Sequence, residues 1–251
     1  QRDLGADALG QFQAAWMISM TYIGFVLGAM GTDYYPRLTA IIHDRAAVNR
    51  LVNEQTEVAL LLATPVLLAM LALAPWVIRI LYTAQFAEAA MVLRWQVLGD
   101  FLKIASWPLG FILLAAGAGR TFMLTEWIAM GSFVLFTWIG LPLIGIQATG
   151  LAFIGLYAVY LPLVYWLAVR RTGFAWNKSV VKLASLGIAI AAFVMLLSTW
   201  SLLLGAAAGT LLAILFGLYG LSLLGNMASL DGRVGKLTAL SGKVLGWMRV
   251  K

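Results

Sequence analysis

Long apolar stretches separated by short polar connections recur along the whole chain. Runs of at least about 17 residues with few charges are long enough to cross a bilayer as helices. Seven stretches fit, at 12–32, 58–81, 91–116, 122–143, 150–169, 183–200 and 202–225. No segment alternates with the period of two that a β-barrel strand needs. The pattern predicts an all-α, polytopic transmembrane helix bundle of about seven spans, each satisfying its backbone amides internally.

Within that pattern the stretch RWQVLGDFLKIASWP, residues 94–108, stands apart. It has the length and composition of a span but carries Arg94, Asp100 and Lys103, with Gln96 and two tryptophans. An ionisable group in hydrocarbon is costly, so it faces the bundle interior or a wet cavity and marks a functional path. Asp100 and Lys103 are three residues apart on one helical face, which Gln96 and Trp107 share. Pro108 withholds a donor from Ile104, and a kink is expected there.

Composition supports the membrane reading. The 251 residues are 63% hydrophobic and 11% charged, far too little polar surface for a soluble domain of this length. Cysteine is absent and His43 is the single histidine. Thiolate metal sites, disulfides, histidine clusters and a Ser-His triad are therefore excluded, and no metal site is expected. The net charge of +7 is explained by topology rather than by nucleic acid. Thirteen of the seventeen basic residues fall in connections on one side: Arg37, Arg45 and Arg50; Arg120; Arg170, Arg171, Lys178 and Lys182; and the five of the tail. The positive-inside rule makes that side cytoplasmic, so the chain starts outside and ends inside. It opens on glutamine without a basic-then-apolar leader, the beginning expected of a fragment.

Gly24 and Gly28 have the small-xxx-small spacing that lets helix backbones approach, and Gly205 and Gly209 repeat it. Pro36 suits the first turn of a new helix, in which Ala40, Ile41, Ala47, Val48, Leu51 and Val52 form a rough stripe for an interfacial segment. Pro65 and Pro75 lie inside the second span, as transporters tolerate. A rise of ~1.5 Å per residue sets two polar layers. Asp100 and Lys103 belong to the outer and middle bilayer, with Arg94 at the outer mouth. Glu57 and Glu126 belong near the inner mouth with Arg37, Arg50 and Arg120. No charge occurs from 183 to 230, so the last hairpin is expected to pack rather than line a wet path. The tail, 226–251, is basic and offers either a surface-lying amphipathic segment or a frayed end.

The segments LGADALGQFQAAW (4–16), DYYPRLTAIIHD (33–44), NRLVNEQTEVALLLATP (49–65), RILYTAQFAEAA (79–90) and LRWQVLGDFLK (93–103) together resemble one family. It is that of the polysaccharide and lipid-linked-oligosaccharide flippases of the multidrug/oligosaccharidyl-lipid/polysaccharide exporter superfamily. In order and spacing they look like the second half of an O-antigen (Wzx-type) translocase. The resemblance covers roughly 1–171. It implies two six-helix bundles around an alternately open cavity, with this chain supplying helices eight to twelve (1–171), an additional hairpin (172–225) and a basic cytoplasmic tail (226–251). The other lobe, N-terminal in the family, would be a separate segment or a second copy.

The implied activity is transport, not catalysis. It is the flipping of an undecaprenyl-diphosphate-linked oligosaccharide across the bacterial inner membrane for O-antigen or related surface polysaccharide, beside a polymerase complex. A diphosphate calls for Arg or Lys in the cavity, and coupling to a proton or sodium gradient calls for a carboxylate able to change its charge. On this reading Arg94, Lys103, Asp100 and Gln96 line the substrate path, Asp100 and Glu57 couple it to a cation, and Glu126 with Arg37 gates the inner mouth. No cofactor is required. Each residue also has a plainer reading: Asp100–Lys103 as a packing pair, Glu57 and Glu126 as interface caps, Arg37 as a topology charge, Arg94 as a headgroup anchor, and the tryptophans as interface anchors. Two other functions stand beside flipping. One is export of small cationic compounds, which Arg94 and Lys103 oppose. The other is a non-catalytic subunit of a glycan-assembly complex. A glycosyltransferase or acyltransferase would need a polar catalytic loop, and the chain has no DxD, HxxxxD or G-x-S-x-G motif.

Overall fold

A computed structural model of the chain describes residues 5–231. These residues form seven helices: α1 (Gly5–Ala40), α2 (Arg45–Leu81), α3 (Ala89–Ala115), α4 (Gly119–Ile144), α5 (Gln147–Thr172), α6 (Lys178–Trp200) and α7 (Leu202–Asp231), with one 3-10 turn at Ala84–Phe86. Six of them are long and apolar enough to cross a membrane, and α1 makes a seventh span if its two bent parts count as one. The all-α polytopic architecture is as expected.

The α1–α2 connection differs from the expectation. Pro36 lies inside α1, and no separate interfacial helix follows it. The chain turns at 41–43, and Asp44 then caps α2, its side chain accepting from the amides of Ala46 and Ala47. The carboxylate satisfies two of the orphan donors at that end, so α2 begins in polar territory and runs unbroken into the membrane. Its Val48, Leu51 and Val52 bury against Tyr34 and Leu38 rather than against a bilayer surface. The break in α1 comes earlier, a 46° bend between Gly5–Gly28 and Met30–Ala40, where Gly24, Gly28 and Gly31 weaken the helix.

α3 is the central helix. It packs on α5, α2 and α1 and also touches α6 and α4. The close approaches lie where α3 or a neighbour has a small residue. A Cβ on Gly99 would fall 2.6 Å from the Phe153 ring, and one on Gly150 would fall 2.9 Å from the Val92 carbonyl oxygen. Gly209 of α7 likewise fits against Ala72 and Val194. Gly24 and Gly28, in contrast, have nothing within 4 Å. The close contact expected of them is not made among the described residues, because that face of α1 turns away from α2 and α3.

The prolines of α2 shape its partners. Proline has no N–H, so Pro65 and Pro75 leave the carbonyls of Leu61 and Leu71 without their intrahelical donors. Gly220 of α7 comes so near the first that a Cβ there would sit 3.2 Å from the Leu61 oxygen. Arg94 of α3 donates from Nε to the second at 3.1 Å. The α6–α7 hairpin thus packs on α2. The part of the tail from 232 to 251 lies outside the described residues.

The two ends of the bundle are chemically distinct. At one end Asn53 accepts from the Asn177 amide and donates to the Ala175 carbonyl, Arg171 meets Thr121, and Ser179 donates to Glu57. Arg37, Arg45, Arg50, Arg120, Arg170, Lys178 and Lys182 belong to the helix ends and turns of this side. At the other end Gln11 accepts from the Ala89 amide. α4 is almost unburied, with Trp127 and Trp138 each 73% exposed, which suits an apolar medium rather than water.

Candidate functional site

A cavity of about 330 Å³ opens between α1, α3, α4 and α5. Helix geometry decides which side chains reach it. Lys103, Ser106, Trp107, Gly110, Phe111 and Leu114 line it from α3, at the three- and four-residue spacing of one helical face. From the other helices come Trp16 and Met20 of α1, Phe122, Glu126, Ala129 and Met130 of α4, and Phe153, Leu156, Tyr157 and Tyr160 of α5. Most of this wall is aromatic or aliphatic, and its polar groups are few and convergent, as in small-molecule sites generally.

Lys103 and Glu126 are the charged groups of this lining. The Lys103 ammonium lies 3.3 Å from the Met20 sulfur and 5.8 Å from the centre of the Phe153 ring. Neither is an anion, and no ion pair within 4 Å joins it to Asp100 or Glu126. Asp100 and Lys103 are thus not in ion-pair contact, although they stand one turn apart and interact electrostatically. Glu126 accepts a 2.6 Å hydrogen bond from the Tyr160 hydroxyl. Lys103 and Glu126 do not pair with each other. Lys103 and Glu126 differ by roughly 10 Å in height along the bundle, yet one elongated cavity takes both, because long side chains on facing helices converge.

Behind Lys103, one turn up α3, Asp100 is fully buried. Its Oδ2 accepts from Ser19 at 2.9 Å and from Tyr22 at 2.6 Å, both on α1, while Oδ1 has no hydrogen-bond partner. The side-chain amide of Gln96, one further turn up, is buried with neither atom paired. Buried polar atoms are normally satisfied, so the unpaired Asp100 Oδ1 and Gln96 amide are unusual.

Several expected path residues lie elsewhere. Arg94 is 4% exposed and is held by the Leu71 carbonyl of α2; it neither lines the cavity nor reaches outer headgroups, because the gap left by Pro75 captures it. Gln96 is not part of the lining. Glu57 accepts from Ser179 at 2.6 Å at the start of α6 and stands apart from Asp100. Arg37 pairs with Asp33 on its own helix at 3.1 Å, and Glu126 has Tyr160 instead. The Glu126–Arg37 pair is not made in this structure.

Sequence reasoning missed Trp16, Ser19, Tyr22, Tyr157 and Tyr160. For Tyr160 a signal existed, since the α4–α5 hairpin turns near Gly145 and sets Glu126 and Tyr160 at similar distances from it. For Ser19 and Tyr22 none did, because how α1 meets α3 is not encoded locally.

Residues 2–91 match the family described as polysaccharide biosynthesis protein. The chain is also similar to the lipid III flippase of Escherichia coli (strain K12) and to the lipid III flippase of Shigella flexneri. Each is 24% identical over 168 residues, which cover 66% of this chain and 40% of the relative. The matched stretch thus spans well under half the length of these curated relatives. No solved structure matches the chain significantly. The matches bear out the resemblance to the polysaccharide and lipid-linked-oligosaccharide flippases.

Proposed function

We propose that this chain is one lobe, the second, of a flippase for lipid-linked saccharides, and that the cavity between α1, α3, α4 and α5 is its share of the path. The observation that carries the reading is Lys103. It is an ammonium with no anion at ion-pair distance, Asp100 lying one turn behind it, and it is set among aromatic rings inside an apolar bundle. A charge there is costly unless a ligand or water meets it. The relatives, both named flippases, point to a transporter rather than a catalyst.

In the proposed cycle Lys103 meets the head group of the substrate, and Glu126 with Tyr160 accepts and donates on the opposite wall. Asp100 couples the movement to a proton or sodium ion through its unpaired oxygen, with Ser19 and Tyr22 holding the other. Arg94, Gln96, Glu57 and Arg37 are left out, since the first three are engaged or buried away from the cavity and Arg37 pairs with Asp33. The finer reading places the chain in a bacterial inner membrane, N-terminus periplasmic and basic end cytoplasmic, moving an undecaprenyl-diphosphate-linked oligosaccharide for O-antigen or a related polysaccharide. A further lobe, or a second copy, closes the cavity.

The test is export in cells lacking their own flippase. Lys103→Met and Asp100→Asn should each abolish surface polysaccharide while membrane abundance stays at the wild-type level. Normal export by both variants sinks the proposal. A second reading, export of small cationic compounds, draws on Glu126 and the aromatic rings but is opposed by the ammonium of Lys103. Efflux of a cationic dye in place of polysaccharide export would favour it.

A further inference from the structure

The cavity's charge balance does not fit the most highly charged part of the proposed substrate. Among its lining residues Lys103 is the one cation and Glu126 the one anion, so the wall is close to neutral. The fully buried Asp100 adds negative charge one turn behind Lys103. Arg94, the other cation of α3, is held by the Leu71 carbonyl. A diphosphate carries more than one negative charge and is best met by several forked or convergent donors. Here it would meet one ammonium and face the Glu126 carboxylate.

The remaining surface suits a sugar. A pyranose presents polarised C–H groups on its faces and hydroxyls around its edge. The negative faces of aromatic rings attract the former, and Trp16, Trp107 and Tyr157 are among the rings that line the cavity. Glu126, Tyr160 and Ser106 offer oxygen acceptors to the latter, the two hydroxyl hydrogens going to Glu126 and to the Lys103 carbonyl. The volume of about 330 Å³ lies at the small end of ligand sites, too little for a whole lipid-linked oligosaccharide.

We infer that this cavity is a saccharide subsite: it receives a sugar ring bearing at most one negative charge, set against Lys103, and excludes the diphosphate of the same molecule. The diphosphate is then handled outside this cavity. The inference rests on the flippase reading, but binding tests it separately from export.

The full chain in phosphatidylcholine nanodiscs is titrated with N-acetylglucosamine, glucuronic acid and inorganic diphosphate while tryptophan fluorescence is followed. Both sugars should give saturable quenching, and diphosphate none at the same concentrations. Lys103→Met should weaken glucuronic acid about tenfold with little change for N-acetylglucosamine. Trp107→Phe should raise the dissociation constants of both sugars, read from the remaining tryptophans. Saturable binding of diphosphate, or of none of the three probes, overturns the subsite. The flippase reading is decided independently by the export assay.

Discussion

The Nε of Arg94 donates at 3.1 Å to the carbonyl of Leu71, the same carbonyl from which Pro75 removes the helical donor. A guanidinium on α3 thereby supplies the donor that the Leu71 carbonyl of α2 lacks, while its own Nη2 is buried without a partner. Each partner explains the other. An arginine in the bilayer needs an acceptor, and a carbonyl freed in hydrocarbon needs a donor.

This pairing has a test with two parts. Arg94→Met should lower stability by about 1–3 kcal/mol, the cost of a buried acceptor left unmade. Adding Pro75→Ala should recover most of the loss, because alanine restores the backbone N–H that the Leu71 carbonyl lacks. Thermal unfolding in lipid nanodiscs measures both, as a double-mutant cycle. Additive losses would show that Arg94 serves something other than the proline gap.

The glycines divide into two groups. Gly99→Leu and Gly150→Leu should each destabilise the bundle by at least about 1–3 kcal/mol through overpacking, since Phe153 and the α3 backbone occupy the space a side chain needs. Gly24→Ala and Gly28→Ala should fold normally, with open space around both. Unfolding midpoints of the four variants decide the matter. A large loss from Gly28→Ala alone would contradict the placement of that face.

Asn53 joins the α5–α6 connection to α2 through the Ala175 carbonyl and the Asn177 amide. Asn53→Leu should cost about 1–3 kcal/mol per backbone group left unpaired and speed proteolysis at residues 173–177. Asn53→Asp should keep the bond from Asn177 and fall between the two. Limited proteolysis of membrane vesicles reads the difference; equal cleavage in all three would remove the role.

The Asp100 cluster makes a narrower prediction. Ser19→Ala and Tyr22→Phe each remove one donor to Oδ2 without touching the cavity wall. Under the proposed coupling role both should lower export severalfold while leaving sugar binding intact. If sugar binding falls in step with export, Asp100 acts on the cavity's shape instead.

The polar residues were visible as exceptions in the sequence, but their partners were not. Asp100 and Lys103 read as a pair from spacing alone, yet rotamers and neighbours send the carboxylate to Ser19 and Tyr22 and the ammonium to Met20. Glu126 was placed near Arg37 by depth, whereas the α4–α5 contact gives it Tyr160. Depth fixes one coordinate of a side chain. Its direction around the helix and the identity of the facing helix fix the other two.

The six apolar spans, with α1 a seventh if its bent parts count as one, and the basic end of the bundle were legible from the order of residues. They follow from local hydropathy and from charges that stay out of hydrocarbon. That Arg94 closes a proline gap, that Glu57 stands apart from Asp100, and that Lys103 shares one cavity with Glu126 emerged only when the helices were assembled. Those outcomes depend on which helix faces which. In an apolar medium that choice is made by packing small residues and by satisfying freed backbone groups, and neither is written along a single helix.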